Sequence, residues 1–563
     1  MTTRVPNLRT VGNWLEALSA RDAHVVFRFQ EIYGNNPALW EERGTRIICA
    51  LTTYRKQFGE GPVRVFRAPG RINLRGMHVD THGGYLNLMT HQREVIVVAG
   101  LGHPSRTEVR NTDQAFAPLR INRHDIPSMT GAKDWVTFIE GVEVRTHVRR
   151  KAGHWKNYVE GAWLRAEEAA GGEALCGLNI VVDSNLPRGA ALSSSAALCL
   201  ALIYAWLGWH GRTLGNDELI LAAQDAEWYT GSRCGTCDQA AIVLGGPGQI
   251  IHGALFPKAF TTKDMIPVAL PDALRVLVIN SHTQRSISGA DKVAYTLNRF
   301  AYSMALEIFR QTLREMGHPD TLIGQCDRLS NITEEALGGA APLLAVLKRI
   351  PQSIDLKRLQ VRYELPAFEQ EFARYFGDVS ESDWPEEIGL RGPLLYGIAE
   401  SGRARHFAAA LNAGDYVLAG NLMTWGHEGD RRIDDYGREF RRDISDAELD
   451  RFAAAETPIY QCPGSYGASA PALDWLVDRA LVHGALGASL TGAGIAGSVL
   501  ALCRVGEAGA VAAAIRNDMA SECYWQSADL NRALTGAALE EAVVQNHAVS
   551  GACELGDCFG PVR

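Results

Sequence analysis

Three serines in a row, Ser193, Ser194 and Ser195, stand where a small-residue loop meets an Ala/Leu-rich run from Ala196 to Leu207. The loop reads Leu186-Pro-Arg-Gly-Ala-Ala-Leu192 and follows an alternating apolar run, Leu178–Asp183. The first run has the pattern of a strand and the second that of a buried helix. Unpaired N–H groups and the positive end of a helix dipole meet at such a junction, which suits a phosphate. The hydroxyls add donors, or an oxygen ligand for Mg2+. A serine-capped helix after a Gly/Pro turn uses the same residues, so the loop alone leaves both readings open. A second polar set, Arg71, Asn73, His78, Asp80 and His82, lies between Pro69 and the turn signal Gly83-Gly84. It can line a site or form a polar hairpin loop. Cys234-Gly-Thr-Cys-Asp-Gln239 contains a CxxC, but no second CxxC or histidine pair stands at zinc spacing. Gly492-Ala-Gly-Ile-Ala-Gly497 fits GxGxxG, yet the strand-like Ser498–Cys503 follows it where a dinucleotide site needs a helix. Such a turn between strands lets backbone approach a neighbour closely.

The elements that must position these segments follow from periodicity. Residues 1–60 form an N-terminal helical extension, in which 7–60 show apolar residues at helical spacing, broken at Tyr33-Gly-Asn-Asn-Pro37. Residues 61–275 hold the first two polar segments and the Cys234 loop, with strands at Val63–Ala68 and Glu94–Ala99 and helices at Trp155–Ala169 and Asp217–Gly231. Residues 276–535 open within a buried strand, 274–282, and continue through a long helix to Met316, with the glycine turn near their end. Residues 317–390 are mixed and partly charged and read as a surface-rich insertion; 536–563 read as a polar tail.

The 563 residues allow two or three domains, and 46% hydrophobic with 21% charged residues is ordinary for a soluble protein. A net charge of −8 gives no electrostatic case for nucleic acid or an anionic membrane. No apolar run approaches the ~20 residues that span a bilayer, and the N-terminus lacks an apolar signal core. Eleven scattered cysteines suit a reducing, cytoplasmic compartment better than a disulfide framework. Nothing in the sequence sets an oligomeric state.

Taken in order, the segments beginning at Pro69, Pro187 and Gly492 resemble the three signature motifs of the GHMP small-molecule kinases. Within that superfamily the chain looks like the galactokinase branch, whose first motif has the form APGRxNLxGEHxDxxGG. Here it stands as Ala68-Pro-Gly-Arg-Ile-Asn-Leu-Arg-Gly-Met-His-Val-Asp80, with Gly83-Gly84 after it. The branch's CGxxDQ signature matches Cys234–Gln239, and Arg403-Ala-Arg-His406 and Gly420–His427 resemble its C-terminal helices. The resemblance implies a two-lobed α+β fold with the active site in the cleft between lobes. It implies ATP, Mg2+ and a small-molecule sugar, with phosphoryl transfer to a hydroxyl, usually the anomeric one. By matching position, Asp238 is the candidate base and Arg71 the cation beside it. Pro187, Gly189, Ala190, Ala191, Ser193, Ser194, Ser195, Gly492 and Gly494 fall where the ATP phosphates bind. Ser195 and Glu227, eleven residues before Asp238, fall where Mg2+ is held. A helix-surface carboxylate is the other reading of Glu227, and Asp238 can orient the sugar rather than take its proton. His78, Asp80 and Tyr295 match sugar-binding positions.

The chain departs from the branch at Met77, where galactokinases carry a glutamate associated with the far hydroxyls, including that on C6. A thioether accepts no strong hydrogen bond. Recognition at C6 should therefore differ. The substrate can be a uronic acid, with Arg75 pairing its carboxylate, a pentose such as L-arabinose, or a cyclitol; a galactokinase that tolerates Met77 is the remaining reading. Ala191 and Ala496 replace glycines of the second and third motifs, which raises a reading from another class, a non-catalytic sugar/ATP-binding regulator on a kinase scaffold.

Overall fold

The computed structural model describes residues 8–283, 290–377, 379–434 and 436–556, with 290–295 described in backbone alone. Two antiparallel-rich sheets organise the chain. In the larger, the strand Arg64–Arg75 pairs with the bent 17-residue strand Tyr85–Leu101, which pairs in turn with Leu178–Ser184. Arg106–Asn111 and Leu119–Asn122 extend that edge, and Gln249–Ala254 and Ile266–Ala269 continue the other half of the bent strand. In the smaller sheet the order is Gly487–Thr491, Ser498–Arg504, Leu274–Asn280, Val543–Gln545, all antiparallel.

The helices Lys156–Ala169, Ser194–Trp209 and Asn216–Tyr229 share one apolar core with the larger sheet, in which Trp163 and Trp206 stack at 5.5 Å between centroids. Ser194–Trp209 is apolar all round because it is enclosed on every side, as its run of alanines and leucines indicates. Helices Pro471–Val482 and Ala508–Met519 form a second core with the smaller sheet. The helix Tyr416–Asp430 lies against the strand Gly487–Thr491 almost backbone to backbone. A Cβ on Gly420 would stand 2.1 Å from the Leu486 carbonyl oxygen, and one on Gly487 would stand 1.9 Å from that of Gly420, so neither position has room for a side chain. The sheets meet where Asn73 N–H donates to Thr491 Oγ1 at 3.0 Å. This contact ties the first polar segment to the glycine turn.

Helices Val11–Ala20, Ala23–Tyr33 and Pro37–Phe58 form the N-terminal extension, and Asn36 and Pro37 start the third helix where the periodicity breaks. Two expectations change. Residues 317–390 bury Leu343, Leu344, Val346, Leu347, Phe368 and Phe376 in a third core with the helices Ala290–Glu315 and Arg391–Ala413. They are an integral helical layer whose charges face outward. The segment after residue 536 is no free tail: Val543–Gln545 joins the smaller sheet, and Cys553–Glu554 pairs with Phe66 and Arg67 in the larger. Strands of two or three residues are too short for alternation to reveal.

Candidate active site

Arg71 leaves the strand Arg64–Arg75 almost fully buried and forks onto Asp238 Oδ1, with Nε at 2.8 Å and Nη2 at 2.7 Å. Its Nη1 donates to the Ala191 carbonyl at 2.6 Å, so one guanidinium joins the first polar segment, the serine loop and the Cys234 loop. Asp238 sits in the first turn of the helix Cys237–Leu244 and also accepts from Ser193 Oγ and Cys237 Sγ. Burial pushes its pKa up, but the Arg71 charge and these hydrogen bonds outweigh burial and leave it below the ordinary carboxylate value. Asp238 is therefore ionised at neutral pH and can accept a hydroxyl proton as charge develops elsewhere.

Ser193 precedes the helix Ser194–Trp209 with φ +58° and does not cap it; its hydroxyl is spent on Asp238. The helix N-terminus thus keeps N–H groups without a side-chain cap, as an anion site requires. Gly189 at φ +71° and Ala191 at φ +58° form the preceding turn. Ser498 Oγ donates to the Ala190 carbonyl at 2.7 Å and Arg71 N–H to that of Leu192 at 3.2 Å, so the loop is anchored from both sheets.

The glycine turn closes on this loop. A Cβ on Gly497 would come within 2.6 Å of the Ala191 methyl, and one on Gly492 within 2.9 Å. Gly494 at φ +76° lies against the Ala468 carbonyl, 2.1 Å from where its Cβ would be. The Ala191 methyl thus fills the space that glycine at 492 and 497 leaves free. Gly497→Ala is expected to cost at least about 1–3 kcal/mol in denaturant unfolding, through overpacking and through a side chain held at φ +111°. Adding Ala191→Gly should recover part of that loss; an additive double variant would refute the contact.

Glu227, on the helix Asn216–Tyr229, is buried and reached by Gln239 Nε2 and by the Ser195 hydroxyl. Burial and then the Asp238 charge raise its pKa to about 7, against the pull of Ser195, Arg71 and Gln239. It is not the helix-surface carboxylate that its sequence position also permitted. Ser195 and Glu227 are hard oxygen donors brought together by tertiary packing, and a buried carboxylate short of positive charge is what a divalent cation relieves. The pair fits Mg2+, which takes most of its coordination from water and phosphate oxygens. Among the described residues no three His, Cys, Asp or Glu side chains cluster for a metal ion.

Asp80 packs against the same loop: a Cβ on Gly235 would stand 1.8 Å from Asp80 Oδ2, and the Cys237 N–H lies 3.5 Å from that oxygen. His78, at φ +63°, stacks on Tyr466 at 4.5 Å, and its Nε2 lies 3.6 Å from Asp430 Oδ1. Tyr295 belongs to the helix Ala290–Glu315, but its side chain lies outside the described residues.

Two expected substrate contacts need correction. Arg75 is fully buried: Nη1 donates to the Leu422 and Met423 carbonyls at 2.9 and 3.0 Å, Nε to that of Leu74, and Nη2 lies 3.4 Å from Glu400 Oε1. It cannot turn to a sugar carboxylate. Met77 is also fully buried, in the apolar cluster of Leu277, Ile279 and Leu490, and only its N–H is engaged, donating to Glu400 Oε1 at 3.0 Å. Its side chain is core rather than cleft wall. His82 bridges Thr81 and Ser303 and is held neutral, its pKa lowered to about 3 by burial and by nearby Arg374, Arg299 and Lys258. Sequence reasoning missed Glu400, Tyr396, Asp430 and Tyr466, single residues of common type far from the motifs.

Residues 52–101 match the galactokinase galactose-binding signature, 157–246 the GHMP kinases N-terminal domain and 439–521 the GHMP kinases C-terminal domain. The chain is 26% identical over 451 residues to a galactokinase of Roseiflexus sp. (strain RS-1), covering 80% of this chain and 85% of that one. It is 27% identical over 447 residues to a galactokinase of Thermococcus kodakarensis, covering 79% and 90%. The crystal structure of Lactococcus lactis galactokinase complexed with galactose superposes with a TM-score of 0.58 at 20% identity, over 90% of this chain and 99% of that one. The fold is the one that galactokinase has.

Proposed function

We propose that this chain, which belongs to the GHMP kinases and is similar to their galactokinases, transfers the γ-phosphoryl group of ATP to the anomeric hydroxyl of a galactose-like monosaccharide. The observation that carries the reading is the Arg71–Asp238–Ser193 constellation at the uncapped helix N-terminus. The loop 187–195 and the turn 492–497 would cradle the phosphates with backbone N–H groups. Arg71 would neutralise charge on the transferring group. Asp238 would take the hydroxyl proton as the new P–O bond forms, and Asp80 and His78 would hold the ring. Ser195 and Glu227 would hold Mg2+, which when bound offsets phosphate charge.

With Arg75 committed to Glu400 and Met77 to the core, the uronic acid reading loses its cation, and a neutral galactose-like sugar, a pentose or a cyclitol remain. Release of ADP over galactose, galacturonate, L-arabinose, N-acetylgalactosamine and cyclitols tests the reading. Turnover above the no-sugar control by one neutral sugar is expected; ATP binding with no turnover on any member would favour the regulator instead. Glu227 supplies a second test. A proton on a carboxyl with a pKa of about 7 competes with the cation, so apparent Mg2+ affinity should fall about tenfold per pH unit below that value. Glu227→Gln should flatten the dependence; an unchanged slope would remove Glu227 from the metal site.

A further inference from the structure

Gln239 is a fully buried amide one residue after Asp238, in the first turn of the helix Cys237–Leu244. Successive residues of a helix point about 100° apart. Asp238 therefore faces Arg71 and the serine loop, while Gln239 turns to the neighbouring helix Asn216–Tyr229. There its Nε2 donates to Glu227 Oε2. The carboxylate fixes which end of the amide faces it, because Oε1 in that place would repel it. Gln239 Oε1 itself has no hydrogen-bond partner among the described residues, a cost that an apolar side chain of similar size would avoid. The turn between the two helices is pinned as well: Gln224 Nε2 and Trp228 Nε1 donate to the Cys234 carbonyl at 3.0 and 2.9 Å. Cys234 Sγ lies 3.8 Å from the same Glu227 Oε2. Gln239 and Cys234 thus converge on one oxygen of Glu227.

We propose that Gln239 is the positioning residue of the cation site, holding Glu227 by Oε2 so that Oε1 alone meets the metal ion. The proposal rests on the reading of Ser195 and Glu227 as the Mg2+ pair and adds the residue that aims the carboxylate. Hydrogen bonds to a ligating carboxylate set its orientation, and their loss typically weakens metal binding about 10–100-fold. One-oxygen coordination also favours Mg2+, which takes its ligands in a tight octahedron, over the larger Ca2+, which readily takes both oxygens of a carboxylate. Mn2+ bound by the full chain with a non-hydrolysable ATP analogue, followed by electron paramagnetic resonance and displaced by Mg2+ or Ca2+, reads the site without turnover. Gln239→Met keeps the approximate volume and removes the donor. It should weaken Mg2+ about 10–100-fold and Ca2+ less, so that the preference for Mg2+ narrows at least about threefold. Affinity for the analogue without metal should not change. Added to Glu227→Gln, Gln239→Met should cost no further metal affinity, because the two residues act as one unit. A Gln239→Met protein with unaltered thermal unfolding and a Mg2+ affinity within about twofold of the unaltered chain overturns the proposal. Equal losses for the two ions, or additive losses in the double variant, overturn it too. If Gln239→Met does not fold, Gln239→Asn, whose amide falls one methylene short, must narrow the preference in the same way. The kinase reading fails separately. The expected Gln239 effects without ADP release from any sugar would sink the kinase and keep the positioning role. ADP release by a chain whose Mn2+ affinity ignores both Glu227→Gln and Gln239→Met would keep the kinase and sink that role.

Discussion

Asp238→Asn is expected to lower kcat by about two to four orders of magnitude, the range for a lost proton acceptor, while sugar and ATP affinities stay within a few-fold. The amide keeps the shape of the carboxyl and can still receive a hydrogen bond from Arg71. It cannot accept a proton, and it leaves the buried guanidinium without the charge that sustains it. Two roles for Asp238 make different predictions. If it only orients the sugar, the amide should retain most of kcat and lose affinity. If it accepts the proton, kcat falls and affinity holds. Retention of more than about a tenth of kcat would remove it as the acceptor. The pH profile adds an independent check. Asp238 lies below the ordinary carboxylate value, so it stays ionised and contributes no acid limb between pH 5 and 8. A limb near 7 belongs to Glu227 and should shift when Mg2+ is raised.

The parts of this site that could be read from sequence are those where residue type is itself the mechanism. Glycine at 492, 494 and 497 marks backbone that takes positive φ or touches a neighbour, and the structure finds both. Serines between an apolar strand and an apolar helix mark a helix N-terminus, and the resemblance to the GHMP kinases pointed to Glu227 beside Asp238. Arg75 and Met77 were misread because the partners that decide them are 200 or more residues away in the chain. Glu400 draws Arg75 and the backbone of Gly76 and Met77 away from the cleft. Local pattern carries no trace of that pairing. Asp430 was missed for the opposite reason: a lone acid at a helix end looks like solvated surface until tertiary packing buries it.

Removal of Glu94 should have the largest effect on stability. It is fully buried on the central strand Tyr85–Leu101, beside two fully buried arginines and one tyrosine. Arg67 Nε donates to its Oε2, Tyr33 Oη to its Oε1 at 2.8 Å, and Arg43 Nε lies 3.6 Å from Oε1. Burial alone would lower the pKa of Arg67; Glu94, together with Tyr33 and Cys553, more than offsets it, so the guanidinium stays charged in the core. Glu94→Ala leaves the buried Arg67 with no carboxylate among the described residues and Arg43 with Glu42 alone, and should cost about 3–5 kcal/mol in denaturant unfolding. Asp113→Ala, which breaks the exposed pair with Arg188, should leave the unfolding midpoint nearly unchanged. The loss should spread beyond the pair. Tyr33 and Arg43 belong to the helical extension, and Arg67 also donates to the Ser550 and Gly551 carbonyls of the returning C-terminal segment. Arg67 stands four residues before Arg71 on one strand, so hydrogen exchange in Glu94→Ala should rise together in the extension, in residues 549–555 and along 64–75. Exchange confined to the extension would show that Glu94 anchors those helices alone and does not brace the strand that presents Arg71.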